Sequence, residues 1–345
     1  MNHTFASDNY SGVHPEIMEA LQRVNNGHAP SYGSDQYTEH AVEKFKDFFG
    51  RNIEVFFAYN GTAANVLGLS ALTHSFEGII CSHPAHIHVD ESTATETFIG
   101  CRQITVETTD GKITPDDIER RIQRLGDQHH PQAKVISISQ STEYGTVYTP
   151  DEISSIAALA RKYNLFLHMD GSRICNAAVS LNKDFKSFTA DVGVDVLSFG
   201  GTKNGMMFGE AVIFFQPGLA KNFQYIRKQG MQLHSKMRFI AAQFDALLTD
   251  DLWKRNASHA NLMATLLEKE LATIPQIKIT KPVHANGVFA IMPAGIIPAL
   301  QEHQYFYVWN EQMSEARLMC SFNTRVEDVE KFVRRIRELL SGSEL

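Results

Sequence analysis

The chain has 345 residues, 43% of them hydrophobic and 21% charged, with a net charge of −7 at pH 7. That length exceeds what one core usually serves and points to two lobes, the balance is that of an ordinary globular chain, and the acidic excess gives no reason to expect nucleic acid or an anionic membrane as a partner. No apolar run is long enough to span a bilayer, the N-terminal "MNHTFASDNYSG" does not read as a signal peptide, and four scattered cysteines (Cys81, Cys101, Cys175, Cys320) without a CxxC pair favour reduced thiols in a cytoplasm.

In chain order, "HPEIMEALQRV" predicts a helix opened by Pro15, with Ile17, Leu21 and Val24 on one face. "TEHAVEKFKDFFG" predicts a second, stopped by Gly50. "IEVFFAY" is an apolar run of strand length, and "NGTAANVLGLSAL" then opens a helix. "GIICS", "KVISIS", "LFLHMD", "VDVLSFG" and "AVIFF" are further short strands, with helices such as "PDEISSIAALARKY" between several of them. Apolar strands separated by helices mean a mostly parallel sheet in an α/β domain. After about residue 217 the chain reads as mostly helical with glycine breaks. It ends in strands ("GVFAIMP", "QYFYVW", "ARLMCSF") and the helix "VEDVEKFVRRIRELL", a smaller α+β lobe.

Ligands of open α/β sheets sit beyond the carboxyl ends of the strands, so the residues following each strand carry the functional reading. After "VFFAY" come Gly61 and Thr62 at a helix start, where free N–H groups and the helix dipole suit a phosphate; plain turn chemistry is the alternative. The stretch is neither GxGxxG nor a P-loop, which argues against dinucleotides and nucleoside triphosphates. After "IICS" come His83, His86 and His88 with Asp90 and Glu91. A strand- or loop-like "IHV" follows His86 rather than the helix of an HExxH zinc site, so an imidazole stacked on a flat cofactor fits better. After "LFLHM" stand Asp170 and, three residues on, Arg173; Asp170 reads equally as a helix cap or a functional carboxylate. "VDVLSFG" leads into "GTKNG", which places Lys203 at the mouth of the core.

Phosphate cup, imidazole, carboxylate, arginine and lysine together are the set that pyridoxal phosphate needs. Its aldehyde takes a lysine, and its ring nitrogen needs a carboxylate to stay protonated. A lysine becomes nucleophilic when desolvation and nearby cations lower its pKa, which explains one at a core mouth.

The motifs "SDNYSG", "YGSDQYT", "YNGTAAN", "HMDGSR", "SFGGTKNG", "SKMRF" and "ARLMCSF" resemble, in order and over nearly the whole chain, those of the low-specificity L-threonine aldolases, close to the bacterial branch that includes phenylserine aldolase. The resemblance implies the aspartate-aminotransferase-like, type I pyridoxal phosphate fold: a mostly parallel seven-stranded sheet in a large domain, residues 1–245, and a smaller C-terminal α+β domain, residues 246–345. It implies retro-aldol cleavage of L-threonine, L-allo-threonine or a related β-hydroxy-α-amino acid to glycine and an aldehyde. The alternatives are an L-phenylserine aldolase or another type I reaction, β-elimination or transamination.

Carried over by motif, Lys203 is the covalent anchor, Asp170 pairs with the ring nitrogen and His86 stacks on the ring. Gly61 and Thr62 hold the phosphate. Arg173 reaches the phenolic oxygen or the substrate carboxylate, which Ser7 and Arg317 grip. Arg238 approaches a neighbouring subunit's phosphate and Tyr32 lines a shared mouth, so the resemblance implies a homodimer or homotetramer with shared active sites. One departure matters. Other members carry a histidine where this chain reads "SQSTEYG", with Thr142 the nearest match. The base for the β-hydroxyl is then His86, directly or through a water, with Glu91 second.

Overall fold

The computed structural model describes residues 3–342. The larger sheet contains β1 (Glu54–Ala58), β2 (Glu77–Ser82), β3 (Arg102–Val106), β4 (Gln132–Ser139), β5 (Phe166–Gly171), β6 (Val196–Gly200) and β7 (Glu210–Phe214). Its seven strands lie in the order β1-β7-β6-β5-β4-β2-β3. Only β7 runs antiparallel to its neighbours, β1 and β6. The expected architecture, α/β of the aspartate aminotransferase type, is the one observed. β3 was not anticipated. It is an edge strand whose residues Arg102 to Thr105 stay exposed or half-buried, so it shows no continuous apolar run.

The helices follow local chemistry. Helix Pro15–Val24 starts on its proline and buries Ile17, Ala20 and Val24. Ala20 takes the place that Leu21 was expected to hold, and Leu21 is half-buried. Helix Gln36–Phe49 stops at Gly50, whose φ of 107° favours glycine. Helix Pro150–Lys162 opens with a Thr149–Glu152 capping box. The long stretch after residue 217 resolves into helices Phe223–Gln229 and Arg238–Leu247, the first stopping at Gly230.

The second sheet joins β8 (Lys278–Ile279), β9 (Gly287–Ile291), β10 (Tyr307–Asn310) and β11 (Glu315–Met319), all antiparallel, in the order β10-β11-β9-β8. Helix Val326–Gly342 presses Val329, Phe332, Val333 and Ile336 onto it. The N-terminal segment is part of this core: Phe5 is fully buried against Phe332, and its backbone bonds Tyr305 O and Met319 N at 2.8 Å each. The same segment therefore runs from the small sheet to the carboxyl ends of the large one.

Candidate active site

The carboxyl ends of β2, β4, β5 and β6 and one residue of the small sheet meet in a single cavity. Its walls include Lys203, Asp170, His86, Arg173 and Arg317, together with Ser7 from the N-terminal segment. A larger cavity of about 730 Å³ between that segment and the small lobe shares Ser7 but is lined without a lysine, so the candidate active site is the smaller one.

Lys203 lies in the tight turn Thr202–Asn204 directly after β6, closed by Gly205 at φ 102°. Gly200 and Gly201 make that approach possible: a Cβ on Gly200 would stand 2.4 Å from the Ser172 carbonyl oxygen. Glu210, at the start of β7, accepts the Gly201 N–H at 3.0 Å, and burial raises its carboxyl to about 7. Burial, and then the Arg173 charge, lower the pKa of Lys203, the direction a nucleophilic amine requires.

Asp170 ends β5 and is 5% exposed. It is not the cap of the following helix, whose N-cap position is Arg173. Its Oδ1 accepts the Ser172 N–H at 2.9 Å and the Ser172 hydroxyl at 2.6 Å, while Oδ2 accepts the Asn65 amide at 2.9 Å. Burial alone would raise its pKa, but His86, Ser172 and Lys203 hold it below the usual carboxylate range. Two residues upstream on the same face, His168 spans Ser137 Oγ at 2.9 Å and Ser198 Oγ at 3.2 Å, and burial keeps this ring neutral with a pKa of about 4.

His86 opens a single helical turn, His86–Val89, where a strand or loop was expected; four residues are too few for helical periodicity to show. Its ring Nδ1 pairs with Glu91 Oε1 at 2.9 Å, and the same oxygen accepts the Asn65 amide. Burial works against the charged ring, but Glu91 and Asp170 outweigh it and raise the pKa of His86. The other two histidines of the motif are elsewhere: His83 is exposed near Glu107, and His88 Nδ1 bonds the His83 carbonyl.

Arg173 is gripped by Asp8, with Nε to Oδ2 at 2.7 Å and Nη2 to Oδ1 at 2.8 Å. This leaves Nη1 as the terminal nitrogen not engaged by the pair. Arg317, on β11, stands over the Trp309 ring at 4.7 Å and the Tyr307 ring at 5.6 Å, with its Nε buried and without a partner. Burial and the neighbouring Arg173 lower its pKa. Two guanidinium groups and an unsatisfied N–H at one end of a cavity call for an anion.

Thr142 turns away from this space. Its hydroxyl bonds Thr146 Oγ1 at 2.7 Å and the Asp110 carbonyl at 3.3 Å. Its neighbour Glu143 turns inward instead and lines the cavity. Asp8, Asn65, Glu143 and Glu210 were not singled out from the sequence. Glu143 was within reach of the rule that found Lys203, since it follows the carboxyl end of β4. Asp8 lay inside the quoted "SDNYSG" without a signal of its own.

The model of the beta-eliminating lyase family matches residues 4–294. A low specificity L-threonine aldolase from a Pseudomonas species is 44% identical over 98% of each chain, and one from Pseudomonas aeruginosa is 45% identical over the same shares. The chain belongs to the beta-eliminating lyase family, within the low-specificity L-threonine aldolases. A solved structure of Leishmania major threonine aldolase superposes with a TM-score of 0.92 at 28% identity, covering 98% of this chain and 99% of that one. Aspartate aminotransferase from Thermus thermophilus (TM-score 0.70, 16% identity, 95% and 93% covered) shares the fold.

The family's cofactor is pyridoxal phosphate. The residues present fit it: a half-buried lysine of lowered pKa, a buried ionised carboxylate and an imidazole ring line the cavity at the ends of β2, β5 and β6, and the helix N-terminus at Gly61 and Thr62 follows β1 just outside its walls, with Gly61 facing Ser172. At that N-terminus Asn60 occupies the Ala63 N–H at 2.9 Å, while Gly61 and Thr62 remain half-exposed. Tyr32 and Arg238 lie outside the cavity walls. Tyr32 is 48% exposed beneath the Lys228 ammonium, and Arg238 reaches the Gly27 carbonyl at 3.4 Å.

Proposed function

We propose that this protein cleaves L-threonine, L-allo-threonine or a related β-hydroxy-α-amino acid to glycine and an aldehyde. The observation that carries the reading is the convergence of Lys203, Asp170 and the unpaired Arg317 on one cavity, in a chain 44% identical to a low specificity L-threonine aldolase. Bound pyridoxal phosphate supplies an aldehyde for the amine and a ring that withdraws electrons from the substrate's Cα.

The chain's residues do the rest. Lys203, its pKa lowered by burial and Arg173, would hold the cofactor's aldehyde carbon. Asp170, fixed by Ser172 and Asn65, would keep a proton on the ring nitrogen. His86, fixed by Glu91, would pack against the ring. Gly61 and Thr62 would hold the phosphate. Arg317 and Ser7 bind the substrate carboxylate, with Arg173 steadied beside them by Asp8. Fixing the carboxylate fixes rotation about the Cα bond, which selects the bond to be broken.

Tyr32 and Arg238 serve the site of a second copy in a homodimer or homotetramer; the exposure of the Tyr32 ring, which leaves it open to a neighbouring copy, supports that reading. The large lobe takes residues 1–245 and the small one 246–345, except that Phe5 packs in the small lobe's core and Leu252, Trp253 and Ala257 in the large one's, and the protein works in the cytoplasm, with Cys81, Cys101, Cys175 and Cys320 buried and free. No helix among the described residues is long and apolar enough to cross a membrane.

The test is direct. Holoenzyme given L-threonine should release acetaldehyde and glycine in equal amounts. A requirement for an oxo-acid acceptor consumed one for one, or release of ammonia, would replace the reading by transamination or β-elimination.

A further inference from the structure

Resting on the proposed retro-aldol function, we infer that Glu143 is the base for the substrate's β-hydroxyl, accepting its proton on Oε2 as the Cα–Cβ bond breaks. Glu143 follows the end of β4 and lines the same cavity as Lys203, Asp170 and Arg317. Its Oε1 is anchored twice, by the His86 N–H at 2.8 Å and the Ser139 hydroxyl at 2.9 Å. Its Oε2 is buried and has no partner. A buried acceptor left unsatisfied costs about 1–3 kcal/mol, so the arrangement is completed by a donor from a ligand. A substrate hydroxyl is such a donor.

The other groups fit the step less well. His86 has Nδ1 committed to Glu91, a pairing that favours the charged ring, and a charged imidazole already holds its proton. Glu91 is tied through Oε1 to His86 and Asn65, and although its Oε2 is also buried without a partner, it is not part of the cavity wall and so does not face the substrate. Asp90 lines the cavity but is exposed, and water is free to occupy its oxygens. Thr142 has no titratable proton in range and bonds Thr146 instead.

Around Glu143 the cavity carries His86, Asp90, Asp170, Arg173, Lys203 and Arg317. Burial first, and then Asp170, raise its carboxyl above the ordinary range, so its ionised form is a stronger acceptor than a solvated carboxylate. In the step, the O–H bond breaks and its proton moves to Oε2. The oxygen lone pair forms the aldehyde C=O while Cα–Cβ breaks. That electron pair stays with the glycine carbon, which then takes up a proton. No oxidant or reductant enters.

The experiment compares wild-type, Glu143→Gln and Glu143→Asp holoenzymes by cofactor stoichiometry from absorbance, glycine affinity by titration, and aldehyde release. Glycine has no β-hydroxyl, so its binding separates site integrity from the proposed proton transfer. Glu143→Gln should keep cofactor and glycine affinity while kcat for aldehyde release falls about 10²–10⁴-fold, with partial recovery in Glu143→Asp. Wild-type kcat should also fall with falling pH as Glu143 takes up its proton, a limb missing from the residual activity of Glu143→Gln. Aldehyde release by Glu143→Gln within about tenfold of wild type would overturn the assignment. So would loss of cofactor and glycine binding in both variants, which would make Glu143 structural. A wild-type enzyme that binds glycine but releases no aldehyde from any β-hydroxy amino acid would instead sink the proposed function, and this inference with it.

Discussion

Replacing Asp8 by asparagine tests the buried pair that seats the N-terminal segment. The Asp8 side chain is 1% exposed and that of Arg173 15%. Burial alone would raise the Asp8 pKa, yet Arg173, followed by Lys203 and Asn286, brings it from 3.8 down to about 2. That difference corresponds to roughly 2.5 kcal/mol of stability at neutral pH. Removing one partner of a buried pair costs about 3–5 kcal/mol by a separate route, because the remaining charge is left uncompensated. Asparagine keeps an acceptor oxygen, so the expected loss for Asp8→Asn is about 2–4 kcal/mol at pH 7. The sign with pH follows from the lowered value. The contribution is fully present above pH 3.8 and is lost as pH falls through about 2, so the gap between wild type and variant should stay constant down to about pH 5 and close below pH 4. Urea unfolding midpoints at a series of pH values measure it. A gap under about 0.5 kcal/mol at pH 7, or one that widens on acidification, would refute the reasoning.

Borohydride reduction of the holoenzyme followed by peptide mapping should place the label on Lys203; label on Lys228 or Lys236 would contradict the assignment. Thr142→Ala should cost about 1 kcal/mol of stability for its bonds to Thr146 and Asp110 and leave kcat little changed, and a kcat loss of about 100-fold would place Thr142 in the chemistry. Inactive Lys203→Ala and Arg238→Ala chains, co-refolded, should regain activity in about a quarter of sites if each copy lends Arg238 to the other. A mixture that stays inactive despite proven subunit exchange would put both residues in one chain's site.

Strands β1, β2, β4, β5, β6 and β7 were legible as apolar runs because each is buried inside the sheet or against helices. β3 was not, because Arg102 and Gln103 break its apolar run, whereas β1 at the opposite edge keeps one in Val55, Phe56, Phe57 and Ala58. Lys203 stood out because a charged residue after a run buried along its whole length has few structural reasons to be there. The single turn at His86 falls below the length at which periodicity speaks. Thr142 drew attention because it departs from a family pattern, and its side chain proves to be committed to Thr146. Comparison with the family's motif thus pointed one residue short of Glu143, the carboxylate that enters the cavity.

What no local pattern could reveal is which polar groups meet across long stretches of chain. Asp8 and Arg173 are 165 residues apart, and Asn286, which donates to Asp8 Oδ2 at 3.0 Å, comes from the approach to β9 in the small lobe. Asp8 and Asn286 alone read as ordinary solvated side chains. Together they fasten the N-terminal segment to both lobes at the point where Ser7, Arg173 and Arg317 converge. Asp8 also neutralises Arg173, which sits near enough to Lys203 to lower its pKa and near enough to Arg317 to do the same. A carboxylate in that position tempers the repulsion among three cations while leaving the Arg317 Nε unpaired. The segment that completes the small lobe's core through Phe5 thereby also sets the charge balance at the end of the cavity assigned to the substrate carboxylate.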